Sequence, residues 1–157
     1  KNRSGDVVVF GVSMGAAASL IWLSENPSPN VIGVISDGSF ARLHPYLMAK
    51  SRALWMPPYL GRSAIALAGW VAGYDPHEVN PVNGLSRIQA PMLILHAASD
   101  RMAPVNNREL LMIDALPGTK TAVYPGGHDE PGNDAMQAEI MNFMRSLAPG
   151  GRGRDRL

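Results

Sequence analysis

The chain has no cysteine. That excludes a disulfide framework and any thiolate nucleophile, and it leaves the redox compartment open. It also lacks a prevailing charge: 14 Lys and Arg face 13 Asp and Glu, for a net charge of +1. Without a basic surplus there is no electrostatic footing for nucleic acid or an acidic membrane surface. No apolar run approaches the roughly 18 residues that a membrane span needs, and no secretory signal peptide is visible. Charged residues are scarce at 17%, while apolar ones reach 46% of 157 residues, enough for one domain around a buried core. The chain starts at Lys1 rather than Met and therefore reads as a piece of a longer product, a natural minimal form being the alternative. The cytoplasm is the default compartment, with a membrane anchor upstream of Lys1 left open.

Four short apolar runs stand out: Val7–Phe10, Val31–Ser36, Met92–His96 and Thr121–Tyr124. Each is near-continuous rather than alternating, the pattern of strands covered on both faces in a parallel sheet. Helical patterns lie between them. Ser13–Glu25 is rich in Ala and Leu and stops before the breaker Asn26-Pro27-Ser28-Pro29. Asn106–Ala115 ends at Leu116-Pro117-Gly118, and Asn133–Leu147 carries Met136, Ile140, Met141, Met144 and Leu147 at helical spacing. The alternation predicts an α/β fold, a mostly parallel sheet of about four strands flanked by helices. Phe40–Gln89 is too long for one crossover and holds Trp55 and Trp70. Residues 41–89 read as a helical insertion between the second and third strands, helical over Leu60–Ala72. It lies either over the carboxyl ends of the strands, where such folds bind ligands, or as ordinary helices on the sheet. Residues 1–149 form one unit, and 150–157 a flexible, solvated tail.

The first run breaks off in Gly11-Val12-Ser13-Met14-Gly15, a serine between two glycines at a predicted strand-to-helix turn. Such a turn strains the serine backbone and projects its hydroxyl from the sheet edge. Side chains at Gly11 and Gly15 are expected to collide with the neighbouring strand or helix. The amino end of the helix favours developing negative charge, and the Met14 N–H is placed as an oxyanion donor. A serine is a poor nucleophile unless a base takes its proton. Candidates follow two later strands: Asp100 in Ala97-Ala98-Ser99-Asp100, and His128 in Pro125-Gly126-Gly127-His128. Both fall beyond strand ends on the same edge as Ser13. There His128 acts as general base and then general acid, and Asp100 orients it. Asp37 also follows a strand and is the alternative acid, turn capping being its other role. His96 reads as a core or hydrogen-bonded histidine, Asp129 as solvated; His44 and His77 carry no signal.

Together GVSMG, LILHAASDRMAP and YPGGHDE resemble the carboxyl-terminal portion of the α/β-hydrolase family. VISDGSF and GYDPHEVNPVNGLSRIQAPMLILH resemble its serine-esterase and serine-aminopeptidase-like branch. The resemblance covers nearly all of Asp6–Leu147. It implies hydrolysis of carboxylic esters, thioesters or amides through an acyl-enzyme, carried by Ser13, His128 and Asp100. It favours Asp100 over Asp37, because Asp-x-x-x-Pro fits the family's pattern. It also implies four strands, and a loop with a second oxyanion N–H, ahead of the Val7–Phe10 strand; here six residues precede it. The expected function is therefore that of a serine hydrolase on a small ester-like acyl substrate, inactive or weakened in this truncated form. A non-catalytic α/β-hydrolase-like module that binds a ligand or a protein is the alternative.

On the insertion, Met48, Trp55, Met56, Tyr59 and Trp70 are expected to line the acyl pocket. No cofactor is required, and no recognisable metal spacing supports a metal site. The Val7–Phe10 strand has an open edge without Lys, Pro or charge, which predicts self-association along it.

Overall fold

The structure, a computed structural model, describes residues 5–128 and 133–148. The four apolar runs form four strands: β1 (Val7–Val12), β2 (Val31–Asp37), β3 (Met92–Ala97) and β4 (Lys120–Tyr124). Their β-branched side chains suit a pleated surface. All pairs are parallel, in the order β1-β2-β3-β4. Among the described residues five α-helices accompany them: α1 (Met14–Glu25), α2 (Leu43–Ala53), α3 (Pro58–Ala72), α4 (Asn106–Met112) and α5 (Asp134–Leu147). Among the described residues no helix is long and apolar enough to cross a membrane. The tail Gly150–Leu157 and Asp129 lie outside the described residues.

Alternate residues of the sheet feed two cores, as the period of 2 dictates. Val34, Met92 and Ile94 pack with Leu20 and Leu23 of α1, Leu111 of α4, and Leu85 and Ile88. Ile35, Leu93 and Leu95 face the other way and meet Met136 and Phe143 of α5. Burial of these apolar surfaces, at about 25 cal/mol per Å², is the main force holding helices to the sheet.

Coverage on both faces holds for β2 and β3, most of whose residues are buried. It fails for the outer strands. β1 leaves Val7 at 47%, Phe10 at 49% and Val12 at 44% exposure, and β4 is mostly exposed. The physical reason is position: among the described residues each outer strand has a neighbour on one side only.

The segment between β2 and β3 is helical, in two helices rather than one. α2 was hidden because few of its side chains are buried, Met48 and Ser51 among them, so no apolar stripe marks it. α3 begins two residues earlier than its pattern suggested, with Pro58 in its first turn, where a missing N–H costs nothing. It stops at Gly73, whose φ of 74° is the left-handed cap that glycine supplies freely. α4 is shorter than the predicted Asn106–Ala115, ending at Met112.

Candidate active site

In a parallel sheet all strands point their carboxyl ends to one edge, and the loops leaving that edge converge. Ser13 follows β1, Asp37 ends β2, Asp100 comes three residues after β3, and His128 comes four after β4. The turn at Ser13 is tight. Its N–H still donates to Asp37 O at 2.8 Å, extending the β1–β2 ladder by one step. Then the backbone swings to φ 53°, ψ −119°, a region that a non-glycine residue enters only under strain, and α1 starts at the next residue.

Gly11 makes the turn possible. A Cβ there would lie 2.6 Å from the Ala16 Cα and 2.8 Å from its N, both backbone atoms. The expectation for Gly15 is corrected: among the described residues nothing lies within 4 Å of an added Cβ. Gly15 sits in the first turn of α1 on its exposed side, so only one of the two flanking glycines is required by packing. The Met14 N–H opens α1, where the helix has no carbonyl of its own to offer.

The β3 and β4 loops are zipped together. Ala98 N–H donates to Tyr124 O at 2.8 Å, and Ser99 N–H to Gly126 O at 2.9 Å. This register sets Asp100 against His128. Asp100 Oδ1 accepts the N–H groups of Met102 (2.7 Å) and Ala103 (2.8 Å), which fixes the carboxylate plane. Its Oδ2 lies 2.7 Å from His128 Nδ1. A carboxylate only accepts, so Nδ1 carries the proton and Nε2 offers a lone pair. That Nε2 lies 2.8 Å from Ser13 Oγ, whose hydroxyl donates to it. The backbone of Gly38 lies against this pair: a Cβ there would sit 3.5 Å from His128 Cε1 and 3.6 Å from Asp100 Oδ2. A hydroxyl, an imidazole and a carboxylate bonded in this order can pass the hydroxyl proton to the imidazole and stabilise the resulting cation.

Asp37 is placed otherwise. It is buried, and the Tyr124 hydroxyl donates to both its oxygens, at 2.9 and 3.0 Å. Burial pushes its carboxyl up from the ordinary value, against the Tyr124 bond that pulls it down. Burial, then the bond to Asp37, pushes the Tyr124 phenol up in turn. His96 is fully buried on β3, and its Nε2–H donates to Ala103 O at 3.2 Å, behind the Asp100 loop. Burial holds this imidazole below its usual value.

Of the five residues read as pocket-lining, Met48 is buried and Met56 half-buried, while Trp55, Tyr59 and Trp70 are exposed. Trp70 alone of the five borders the concave pocket of about 680 Å³ formed by α3 and the Gly73–His77 turn. His44 and His77, which carried no signal, stack beside it with ring centroids 3.8 Å apart. The sequence reading missed Phe40, Tyr46, Lys50 and Met102, which form a run of contacts leading to Asp100. The one hint was the i, i+4 spacing of Tyr46 and Lys50, visible only once α2 is known to be a helix.

No family profile matches the chain. The uncharacterized protein YqkD of Bacillus subtilis (strain 168) is 30% identical over 115 residues, which cover 70% of this chain and 37% of YqkD. Solved structures match more of it. An esterase of Pyrococcus furiosus superposes with a TM-score of 0.65 at 17% identity, covering 92% of this chain and 54% of that one. Pyrococcus horikoshii acylaminoacyl peptidase gives 0.61 at 16% identity, covering 92% and 24%. The esterase domain of a Rhodothermus marinus protein gives 0.59 at 16%, covering 88% and 60%. The fold is that of the α/β-hydrolases. The chain spans a little over a third of its curated relative and from about a quarter to three-fifths of these structures.

Proposed function

We propose that the protein is a serine hydrolase acting on small ester-like acyl substrates, with Ser13 as nucleophile, His128 as base and acid, and Asp100 as the group that holds His128. One observation carries this reading: three residues separated by 87 and 28 positions meet in an unbroken relay of 2.8 and 2.7 Å. Packing alone gives no reason to strain a serine backbone so that its hydroxyl meets an imidazole. Esterases and a peptidase among the structures that share the fold agree with it.

In the proposed reaction Ser13 Oγ attacks the carbonyl carbon while its proton passes to His128 Nε2. Asp100 stabilises the imidazolium. The Met14 N–H and the amino end of α1 face the developing oxyanion. His128 then gives its proton to the leaving group. Water, deprotonated by the same imidazole, releases the acyl group from Ser13. We further propose that this chain, on its own, associates with itself through the β1 edge, which has a neighbour on one side only among the described residues.

A fluorophosphonate probe tests the assignment. Ser13 is expected to be the labelled residue by peptide mapping, and Ser13→Ala to abolish labelling. Undiminished labelling of the alanine variant overturns it.

A further inference from the structure

Lys50 stands on α2 with its Nζ 2.6 Å from Met102 Sδ and 5.4 Å from the centre of the Tyr46 ring. Tyr46, one turn earlier, stacks on Phe40 with centroids 5.1 Å apart. Both supports lead directly to the relay. Met102 N–H is one of the two donors that hold Asp100 Oδ1. Phe40 follows Gly38, whose backbone lies against His128 and Asp100. The negative charge of Asp100, after burial, helps push the Tyr46 phenol up, a second sign that this ring stands close to the site.

Tyr46 and Lys50 on α2, with Phe40 from the loop after β2 and Met102 from the loop after β3, thus build a wall that leads to Asp100. Apart from the Tyr46 hydroxyl, the side chains of the wall are apolar but for one cation. An aromatic face and a thioether hold an ammonium softly but do not neutralise it. Among the described residues no carboxylate lies within 4.0 Å of Lys50. A lysine fixed in this way, half-buried and without a counter-charge among the described residues, matches an anionic partner that arrives with the substrate.

We propose that Lys50 is a specificity-determining residue that binds a carboxylate on the substrate, so the preferred substrates are anionic acyl esters or amides rather than neutral ones. This inference rests on the reading of Ser13 as nucleophile. The carboxylate can belong to the acyl part or to the leaving group, and the test separates the two.

The experiment compares rates of Ser13 phosphonylation by matched alkyl fluorophosphonates. Within each pair the arms have equal length, one ending in a carboxylate and the other in a methyl group. One pair carries the difference on the P–alkyl arm, the other on the P–alkoxy arm. In each, the Ser13 O–P bond forms, the P–F bond breaks, fluoride leaves and the proton goes to His128. The carboxylate probe is expected to react about tenfold faster in one pair, the worth of a charge-assisted hydrogen bond. Lys50→Met should bring that ratio down to about one, and Lys50→Arg should keep most of it. Arg52→Met, which removes the same charge from an exposed site on the same helix, should leave the ratio unchanged. Equal rates in both pairs, or a ratio that Lys50→Met does not lower, overturn the inference while leaving the nucleophile standing. No phosphonylation of Ser13 by any probe overturns the nucleophile, and this inference falls with it.

Discussion

Ser13 keeps a positive φ of 53°, a sign that among the described non-glycine residues only Trp55 shares. Such strain costs about 1–3 kcal/mol and is retained only where the surroundings impose it. Glycine enters this region freely. Ser13→Gly is therefore expected to be more stable than Ser13→Ala by about 1 kcal/mol in urea unfolding, the reverse of the usual order. His96 gives a pH dependence. Unfolded, its imidazole binds a proton near the ordinary value of 6.5; folded, burial holds it below that value. Between the two the unfolded chain binds the extra proton, so stability is full above pH 6.5 and is lost as the pH falls toward the depressed folded value. His44, also held low by burial, acts with the same sign. Urea midpoints at pH 7 and pH 5 should show the loss, and His96→Leu should flatten part of it. At this scale the placement of Ser13, Asp100 and His128 beyond one sheet edge was legible, because each follows within four residues an apolar run that ends there. Tyr124, Tyr46 and Lys50 were not, because their partners lie 87, 6 and 52 positions away with no motif to link them.

Among the elements, the β1–α1 turn shows what a motif conceals. Two glycines flank the serine, yet only Gly11 meets backbone. Gly11→Ala forces the strand and helix apart and is expected to cost about 1–3 kcal/mol or more. Gly15→Ala meets nothing and removes a poor helix former, so it is expected to be neutral or to stabilise by up to about 1 kcal/mol. Thermal unfolding of the two variants side by side checks the contrast. Strands and most helices were legible from apolar runs and from Pro and Gly punctuation. α2 was not, because a helix with so few buried positions writes no period into the sequence. Nor was the exposure of β1 and β4 legible, because a run of valines reads alike at the centre and at the rim of a sheet.

For the described sheet as a whole, the order is simple and β1 is an outer strand, so its edge is expected to govern how this chain behaves on its own. β1 presents Val7, Phe10 and Val12 with no charged or proline residue within the strand to blunt it. Association is expected to grow with concentration in sedimentation velocity, and Phe10→Lys to shift the population toward monomer. Unchanged sedimentation of that variant would count against pairing along this strand.

The same rim has a rhythm. Val7 N–H and Ser13 N–H both donate toward β2, to Asn30 O and Asp37 O. Strand residues alternate, so the amides of Val8, Phe10 and Val12 aim outward. Deuterium will therefore enter this strand at every second amide and be refused at those between. Any polypeptide that comes to lie beside it will announce itself by erasing the alternation.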